Sequence, residues 1–225
     1  MILSIETSTE VCSIALHNKR ELIASDTSTQ PYSHAERLAP MIQELFKTSA
    51  VEKNRLSAVA VSAGPGSYTG LRIGTSTAKG LAYALDIPLI TVNTLHSMLL
   101  NLPEAYAGHL RCPMIDARRM EVYCLLANDT DKILEEVQAK IIDGASFSHY
   151  LETQKILFYG NGAAKCAPII NSTNGLYLNE IVPSAVNIGE LAWEKYQQGD
   201  FADLAYFEPD YLKPYLAIKA KNPLL

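Results

Sequence analysis

The sequence predicts an α/β protein built as two compact lobes, and three observations carry that expectation. The chain has 225 residues, more than a usual single domain of about 100 to 150 and fewer than two large ones. It alternates strand-like runs, glycine loops and helical patterns. The sequence around Ile5-Glu6 and Glu10-Val11 is echoed half a chain later by Ile115-Asp116 and Glu121-Val122, as a duplicated unit would be. With 48% hydrophobic and 19% charged residues there is material for a core and no disorder signature. The lobes expected are 1–104 and a reduced 105–225.

ILSIET, VCSIAL and ELIASDTS read as three strands of an antiparallel sheet, the last two joined by the polar turn His17-Asn18-Lys19-Arg20. Ser33 and Glu36 have capping-box spacing, and Leu38, Met41, Ile42, Leu45 and Phe46 recur at helical intervals, so residues 34 to 48 form an amphipathic helix. Pro40 removes a backbone hydrogen bond at a cost of about 3 kcal/mol and implies a bend or a later start. Residues 57 to 63 are a short strand ended by Gly64-Pro65-Gly66, and a helix follows over 70 to 85 with Ala78, Leu81, Ala82 and Leu85 on one side. Residues 88 to 93 form the next strand, Thr94 caps a helix over 95 to 102, and 103 to 111 connect the lobes. Then come the strand VYCLLA, a strand near 132 to 141, a helix near 144 to 152 behind Asp143, and the strand KILFYG with the turn Gly160-Asn161-Gly162. A helix from 188 to 198 is opened by Asn187 and Glu190 and ended by Gly199, and the tail with Pro209, Pro214 and Pro223 is mostly irregular.

A net charge of −5 opposes broad attraction to a phosphate backbone, so any nucleic-acid role must be local or delegated. Lys19-Arg20, Arg118-Arg119 and the tail lysines Lys213, Lys219 and Lys221 are small clusters without interleaved aromatics and read as solvated surface. Met1 leads into MILSIET without the features of a secretory signal, and no apolar run approaches the roughly 18 residues of a membrane span. Cys12, Cys112, Cys124 and Cys166 form no C-x-x-C pair. These features predict a cytoplasmic protein with reduced thiols and no membrane contact.

GPGSYTGLRIG, residues 64 to 74, is the densest motif, because Gly64, Gly66, Gly70 and Gly74 permit backbone approaches that a Cβ forbids. Two readings stand side by side: a tight structural turn, or backbone N–H groups at a helix start facing an anion. The spacing misses the standard signatures, since no Lys follows Gly70 and the third glycine falls one position late for G-x-G-x-x-G. Pro65 and Thr69 stand where a G-x-S-x-G elbow around Ser67 needs glycines. Glu6 and Asp116 each end a first strand, where a carboxylate can orient a magnesium-bound water or simply stabilise a turn. Thr7, Ser8 and Thr9 suit a phosphate or a tight turn equally. His17, His34, His96, His109 and His149 form no metal-binding pair, and His34 reads as a surface or interface residue. The helices 34 to 48 and 70 to 85 have apolar or small residues on more than one side, enough for a second contact beyond their own sheet.

Together, MILSIETST at the start, GPGSYTGLRIG at 64 to 74, IDARRMEVY at 115 to 123 and EPDYLK at 208 to 213 resemble the TsaB (YeaZ) family, in order over nearly the whole chain. The resemblance implies an actin-like, Hsp70-like two-lobed fold, each lobe a mixed sheet with flanking helices. It also implies a part in making the threonylcarbamoyl modification on the adenosine beside the anticodon of tRNA. The implied role is a non-catalytic scaffold that activates a homologous TsaD-type subunit, which carries the metal-binding histidines. A TsaE-type ATPase joins them, and tRNA is reached through the complex. The implied partner surface, used for self-pairing when the chain is alone, is the helix pair, with His34, Leu38, Met41, Ile42, Leu45, Arg72, Thr75, Ala78 and Ala82. Gly64, Gly66, Ser67, Tyr68, Thr69 and Gly70 form the loop that launches it, with Ser67, Tyr68, Thr69 and Arg72 facing the joint interface. Glu6, Thr7, Ser8 and Asp116 are then vestiges of a nucleotide site. The fold's first phosphate loop usually has Asp where Glu6 stands, and Phe158 to Gly162 only echo its adenosine-side glycine motif. No stably bound cofactor is expected, and ATP or ADP with Mg is left to the joint interface. The competing reading is an actin-like ATPase or small-molecule kinase that binds Mg-ATP through Glu6, Asp116 and the 64 to 74 loop.

Overall fold

The computed structural model describes residues 1–30 and 33–213, so Pro214, Lys219, Lys221 and Pro223 lie outside the described residues. β1 (Ile2–Glu6) is buried at every position, as a strand covered on both faces must be. It pairs antiparallel with β2 (Cys12–Asn18), which pairs antiparallel with β3 (Glu21–Ser28). The turn between them shrinks to Lys19-Arg20, because His17 and Asn18 stay in the ladder. Then follow α1 (His34–Ser49), β4 (Ala58–Gly64), α2 (Tyr68–Leu85), β5 (Leu89–Asn93) and α3 (Thr94–Met98). β4 and β5 add in parallel, giving the order β3-β2-β1-β4-β5.

The second half repeats this plan with β6 (Leu110–Asp116), β7 (Glu121–Ala127), β8 (Ile133–Ile141), α4 (Ser148–Leu151), β9 (Ile156–Tyr159), α5 (Ala163–Cys166) and β10 (Gly175–Leu178). Its order, β10-β9-β6-β7-β8, is the first sheet's order read from the other edge. β6 is antiparallel to β7 and parallel to β9, as β1 is to β2 and β4. The half-chain echo is thus a repeated topology in which Glu6 and Asp116 hold the same place. Leu95, Met98 and Leu99 pack with Ile115, Leu125, Leu157 and Tyr159 where the lobes join. There the Tyr159 hydroxyl donates to Met98 O at 3.1 Å.

Local departures have local causes. Ser33 makes no capping bond to α1, because its Oγ donates instead to Gln30 O at 2.7 Å. α1 nevertheless begins at His34 and runs through Pro40. Five apolar side chains buried at about 1.5 to 3 kcal/mol each outweigh one missing hydrogen bond. α3 is shorter than predicted and is capped by Asn93, whose side chain accepts from Leu95 N and His96 N. α4 is a single turn, since Asp143 Oδ1 accepts from Ala145 N and Ser146 Oγ in a turn of its own.

The last helix, α6 (Ala185–Gln198), starts at the Ser184 cap, ahead of the predicted Asn187. Asn187 lies inside it and donates to Ser97 O at 2.9 Å, bracing α3. Ile188 and Ala192 pack on Ile2, Ala58 and Ala60, whereas Leu3, Ile5, Val59 and Val61 face α1 and α2. Alternate residues of one strand point to opposite faces, so α6 covers the second face of the first sheet. The stretch 105–225 is therefore not one spatial lobe. A sheet buried on both faces needs this returning helix.

Candidate functional site

The glycine motif is a packing device. α2 begins at Tyr68, with the Ser67 Oγ accepting from Gly70 N at 3.3 Å, so Tyr68, Thr69 and Gly70 belong to the helix and not to a loop. Gly66, Gly70 and Gly74 recur every fourth residue and face the turn that follows β1. A Cβ would lie 2.5 Å from Ser8 O at Gly66, 2.1 Å from Thr7 O at Gly70 and 2.2 Å from Thr7 Oγ1 at Gly74. Two hydrogen bonds clamp the contact: Ser67 N donates to Ser8 O at 2.6 Å, and Thr7 Oγ1 donates to Gly70 O at 2.8 Å. Gly64, at φ +113°, makes room for Asp210, whose N–H donates to Ala63 O at 2.7 Å.

Glu6, Thr7 and Ser8 are fully buried beneath this contact. Glu6 Oε1 accepts from Ser8 N at 2.5 Å, while Glu6 Oε2, Ser8 Oγ and Ser62 Oγ have no partner in hydrogen-bond geometry. Burial pushes the Glu6 carboxyl above its ordinary range, and the dipoles of Ser8, Ser62 and Thr7 only partly oppose it. As placed, these three residues offer no surface to a nucleotide. Asp116 is exposed, accepts from Lys165 Nζ at 2.5 Å and Arg118 N at 2.7 Å, and donates its N–H to Asn161 Oδ1 at 3.0 Å. The repeat explains the contrast: α2 has 18 residues and covers the first turn, while α5 has 4 and leaves the second open.

The helix residues expected at a partner surface face inward. His34, Leu38, Met41, Ile42, Leu45, Thr75, Ala78 and Ala82 are all at most 8% exposed, and only Arg72 of the nine is exposed. Leu38, Met41, Ile42, Leu45, Ala78 and Ala82 belong to the same core as Leu3 and Ile5. An amphipathic helix buries its apolar stripe on the nearest sheet. His34, predicted at the surface, places Nε2 3.4 Å from Val11 O. The outward face of α1 is made by Glu36, Ala39, Pro40 and Gln43, and that of α2 by Thr69, Arg72, Ser76, Gly80 and Tyr83, with Tyr83 81% exposed. Ser67 and Thr69 are exposed as expected, while Tyr68 is half-buried.

Tyr211 and Lys213, to which the sequence assigns no contact, complete the site. The Arg72 guanidinium lies 4.1 Å above the Tyr68 ring and 5.9 Å from that of Tyr211, the two rings are 4.8 Å apart, and Arg72 Nε donates to the Tyr211 hydroxyl at 3.2 Å. Lys213 Nζ pairs with the Glu121 carboxylate. The motifs at 64 to 74, 115 to 123 and 208 to 213 therefore converge. No local pattern could have announced it. Beside them a groove of about 470 Å³ is lined by Pro65, Asn93, Val137 and residues 209 to 212, and burial pushes the Asp210 carboxyl up. Among the described residues no cluster of His, Cys, Asp or Glu is arranged to hold a metal, and no helix is long and apolar enough to cross a membrane.

A family model described as TsaD: tRNA N6-adenosine threonylcarbamoyltransferase matches residues 22–213. The chain is 30% identical to the tRNA threonylcarbamoyladenosine biosynthesis protein TsaB of Escherichia coli, over 97% of this chain and 96% of that one. It is 31% identical to TsaB of Bacillus subtilis, over 94% and 93%. A solved protein from Pseudomonas aeruginosa with similarity to YeaZ superposes with a TM-score of 0.80 at 26% identity, covering 94% of this chain and 99% of that one. The observed architecture, two mixed sheets of the same order with flanking helices, is the two-lobed actin-like fold. Relatives that match over nearly their whole length, on this fold, show that the chain belongs to the TsaB (YeaZ) family, whose role is in tRNA threonylcarbamoyladenosine biosynthesis.

Proposed function

We propose that the chain is a non-catalytic scaffold and activating subunit that pairs with a homologous TsaD-type transferase through the outer faces of α1 and α2. The carrying observation is the fate of the glycine motif: Gly66, Gly70 and Gly74 seat α2 on Thr7 and Ser8 and bury Glu6. That arrangement fixes the start of α2 on the turn after β1 and leaves the first lobe without an open phosphate loop. Kinship supports the pairing, since the chain is 29% identical to the tRNA N6-adenosine threonylcarbamoyltransferase of Porphyromonas gingivalis over 62% of this chain and 41% of that one. A surface that joins two copies of one helix pair also accommodates a homologue with the same helices, so a homodimer forms when the partner is absent. A TsaE-type ATPase completes the cytoplasmic assembly, tRNA is bound by the whole, and any ATP or ADP with Mg sits at the joint interface.

The test uses exposed positions, because Arg at buried Leu45 or Ala78 would unfold the chain. The double variant Ser76→Glu/Tyr83→Arg is expected to lose co-elution with the transferase subunit, with thermal stability within about 0.5 kcal/mol of wild type. Normal assembly by that variant refutes the interface. Submicromolar Mg-ATP binding with turnover by the isolated chain refutes the scaffold role in favour of an ATPase or kinase.

A further inference from the structure

The turn between β6 and β7 carries Arg118 and Arg119, both exposed. Their φ angles are 69° and 51°, the only adjacent pair among the eight described non-glycine residues with positive φ. Each such residue costs on the order of 1 kcal/mol, so Gly or Asn would suit the turn better on local grounds. The surrounding structure nevertheless holds it. Lys165 Nζ donates to Asp116 Oδ1 at 2.5 Å, Arg119 O at 2.8 Å and Glu121 O at 2.6 Å, which engages all three of its protons.

Lys165 pairs with Asp116 and Lys213 with Glu121, so both acids of the turn are neutralised. Neither guanidinium takes part in any of the seven ion pairs among the described residues. At the turn, four cations (Arg118, Arg119, Lys165, Lys213) against two acids (Asp116, Glu121) leave a local charge of +2 on a chain of −5, while Glu208 lies near Arg72 at the far end. Beyond Lys213 the stripe runs on through Tyr211 and Tyr68 to Arg72, whose guanidinium lies over the Tyr68 ring and whose Nε donates to the Tyr211 hydroxyl. Folding thus interleaves aromatic rings with basic clusters that are bare in the sequence, an arrangement suited to a nucleic-acid backbone.

We infer that this stripe, with Arg118 and Arg119 foremost, is a contact for the phosphodiester backbone of RNA, so that tRNA in the complex touches this subunit as well as its partner. Guanidinium forks match phosphate oxygens bidentately, and the clamped turn presents two of them preorganised. Lys165 is a positioning residue. The inference rests on the scaffold reading above.

The experiment reconstitutes this chain with the transferase subunit, confirms assembly by co-elution, and follows unmodified tRNA binding by fluorescence anisotropy from about 50 to 200 mM salt. Arg118→Ala/Arg119→Ala is expected to co-elute normally, bind tRNA about tenfold more weakly, and flatten the slope of log K against log salt by about 2. Lys165→Met is expected to weaken binding less and leave the slope unchanged. Unchanged affinity and slope in the double variant overturn the inference. Loss of co-elution in it assigns the turn to a subunit contact, and displacement of tRNA by submillimolar ATP in the wild type alone assigns it to a mononucleotide; each also overturns the inference. Failure of the scaffold reading is seen separately, as a wild-type chain that does not co-elute.

Discussion

Gly70→Ala decides whether the glycine motif is packing. The new Cβ would lie 2.1 Å from Thr7 O, 1.3 Å short of the 3.4 Å at which ordinary contact begins. Thr7 O is a backbone atom and cannot rotate aside, so the start of α2 must move off the turn. That movement strains the Thr7 Oγ1 to Gly70 O bond of 2.8 Å and the Ser67 N to Ser8 O bond of 2.6 Å. Overpacking costs about 1 to 3 kcal/mol and a weakened hydrogen bond about 1, offset by up to about 1 from the helix propensity of Ala. The net expectation is a loss of about 1 to 3 kcal/mol. Gly80 lies on the same helix, yet a Cβ there meets nothing within 4 Å, so Gly80→Ala is expected to gain about 0.5 to 1 kcal/mol. Urea unfolding of both variants, compared at equal m-values, measures the difference directly. Equal effects of the two substitutions, or a Gly70→Ala variant as stable as wild type, would refute the packing account. A phosphate-cradling loop predicts that pattern instead, with stability kept and a ligand lost.

Glu6→Gln keeps an acceptor for Ser8 N while removing the ionisable carboxyl. Because burial raises the folded carboxyl above the unfolded value of 4.5, ionisation works against the fold, and the variant should be more stable than wild type at pH 7 with the gap closing below pH 4.5. A constant gap in urea midpoints measured at pH 7 and pH 4 would contradict the buried-charge explanation. His17 has both ring nitrogens buried and unpartnered against Gly189, and burial lowers its affinity for a proton. The unfolded chain takes up a proton that the folded chain refuses, so stability should fall as pH drops through 6.5, by up to about 1.4 kcal/mol per pH unit for this group. His17→Leu should flatten that slope without abolishing it, since His96 shifts in the same direction. An unaltered slope would show that the ring is already protonated in the folded chain.

Most strands were legible as short apolar runs bounded by turn residues, the two long helices from their period of about 3.6, and the half-chain repeat from its echoed motifs, whereas the edge strand β10 carries no such signal. The helix ends were not legible, because they depend on which group happens to cap them. Asn93 and Ser184 cap where Thr94 and Asn187 look equally suitable in the sequence. The apolar stripe of α1 reads the same whether it covers its own sheet or a partner. The position of Leu3, Ile5, Val59 and Val61 beneath it settles that it covers its own.

By itself, then, the sequence determined the fold class, the family and the existence of a place of close backbone approach at residues 64 to 74. Only the tertiary structure decided what approaches: Thr7 and Ser8 below Gly66, Gly70 and Gly74, and Asp210 beside Gly64. It alone also set Tyr211 beside Tyr68 and Arg72, and Lys165 and Lys213 beside Asp116 and Glu121. The physical reason is that a missing side chain or an isolated charge records what is permitted at its own position. Its energy depends on atoms that the fold brings from elsewhere in the chain.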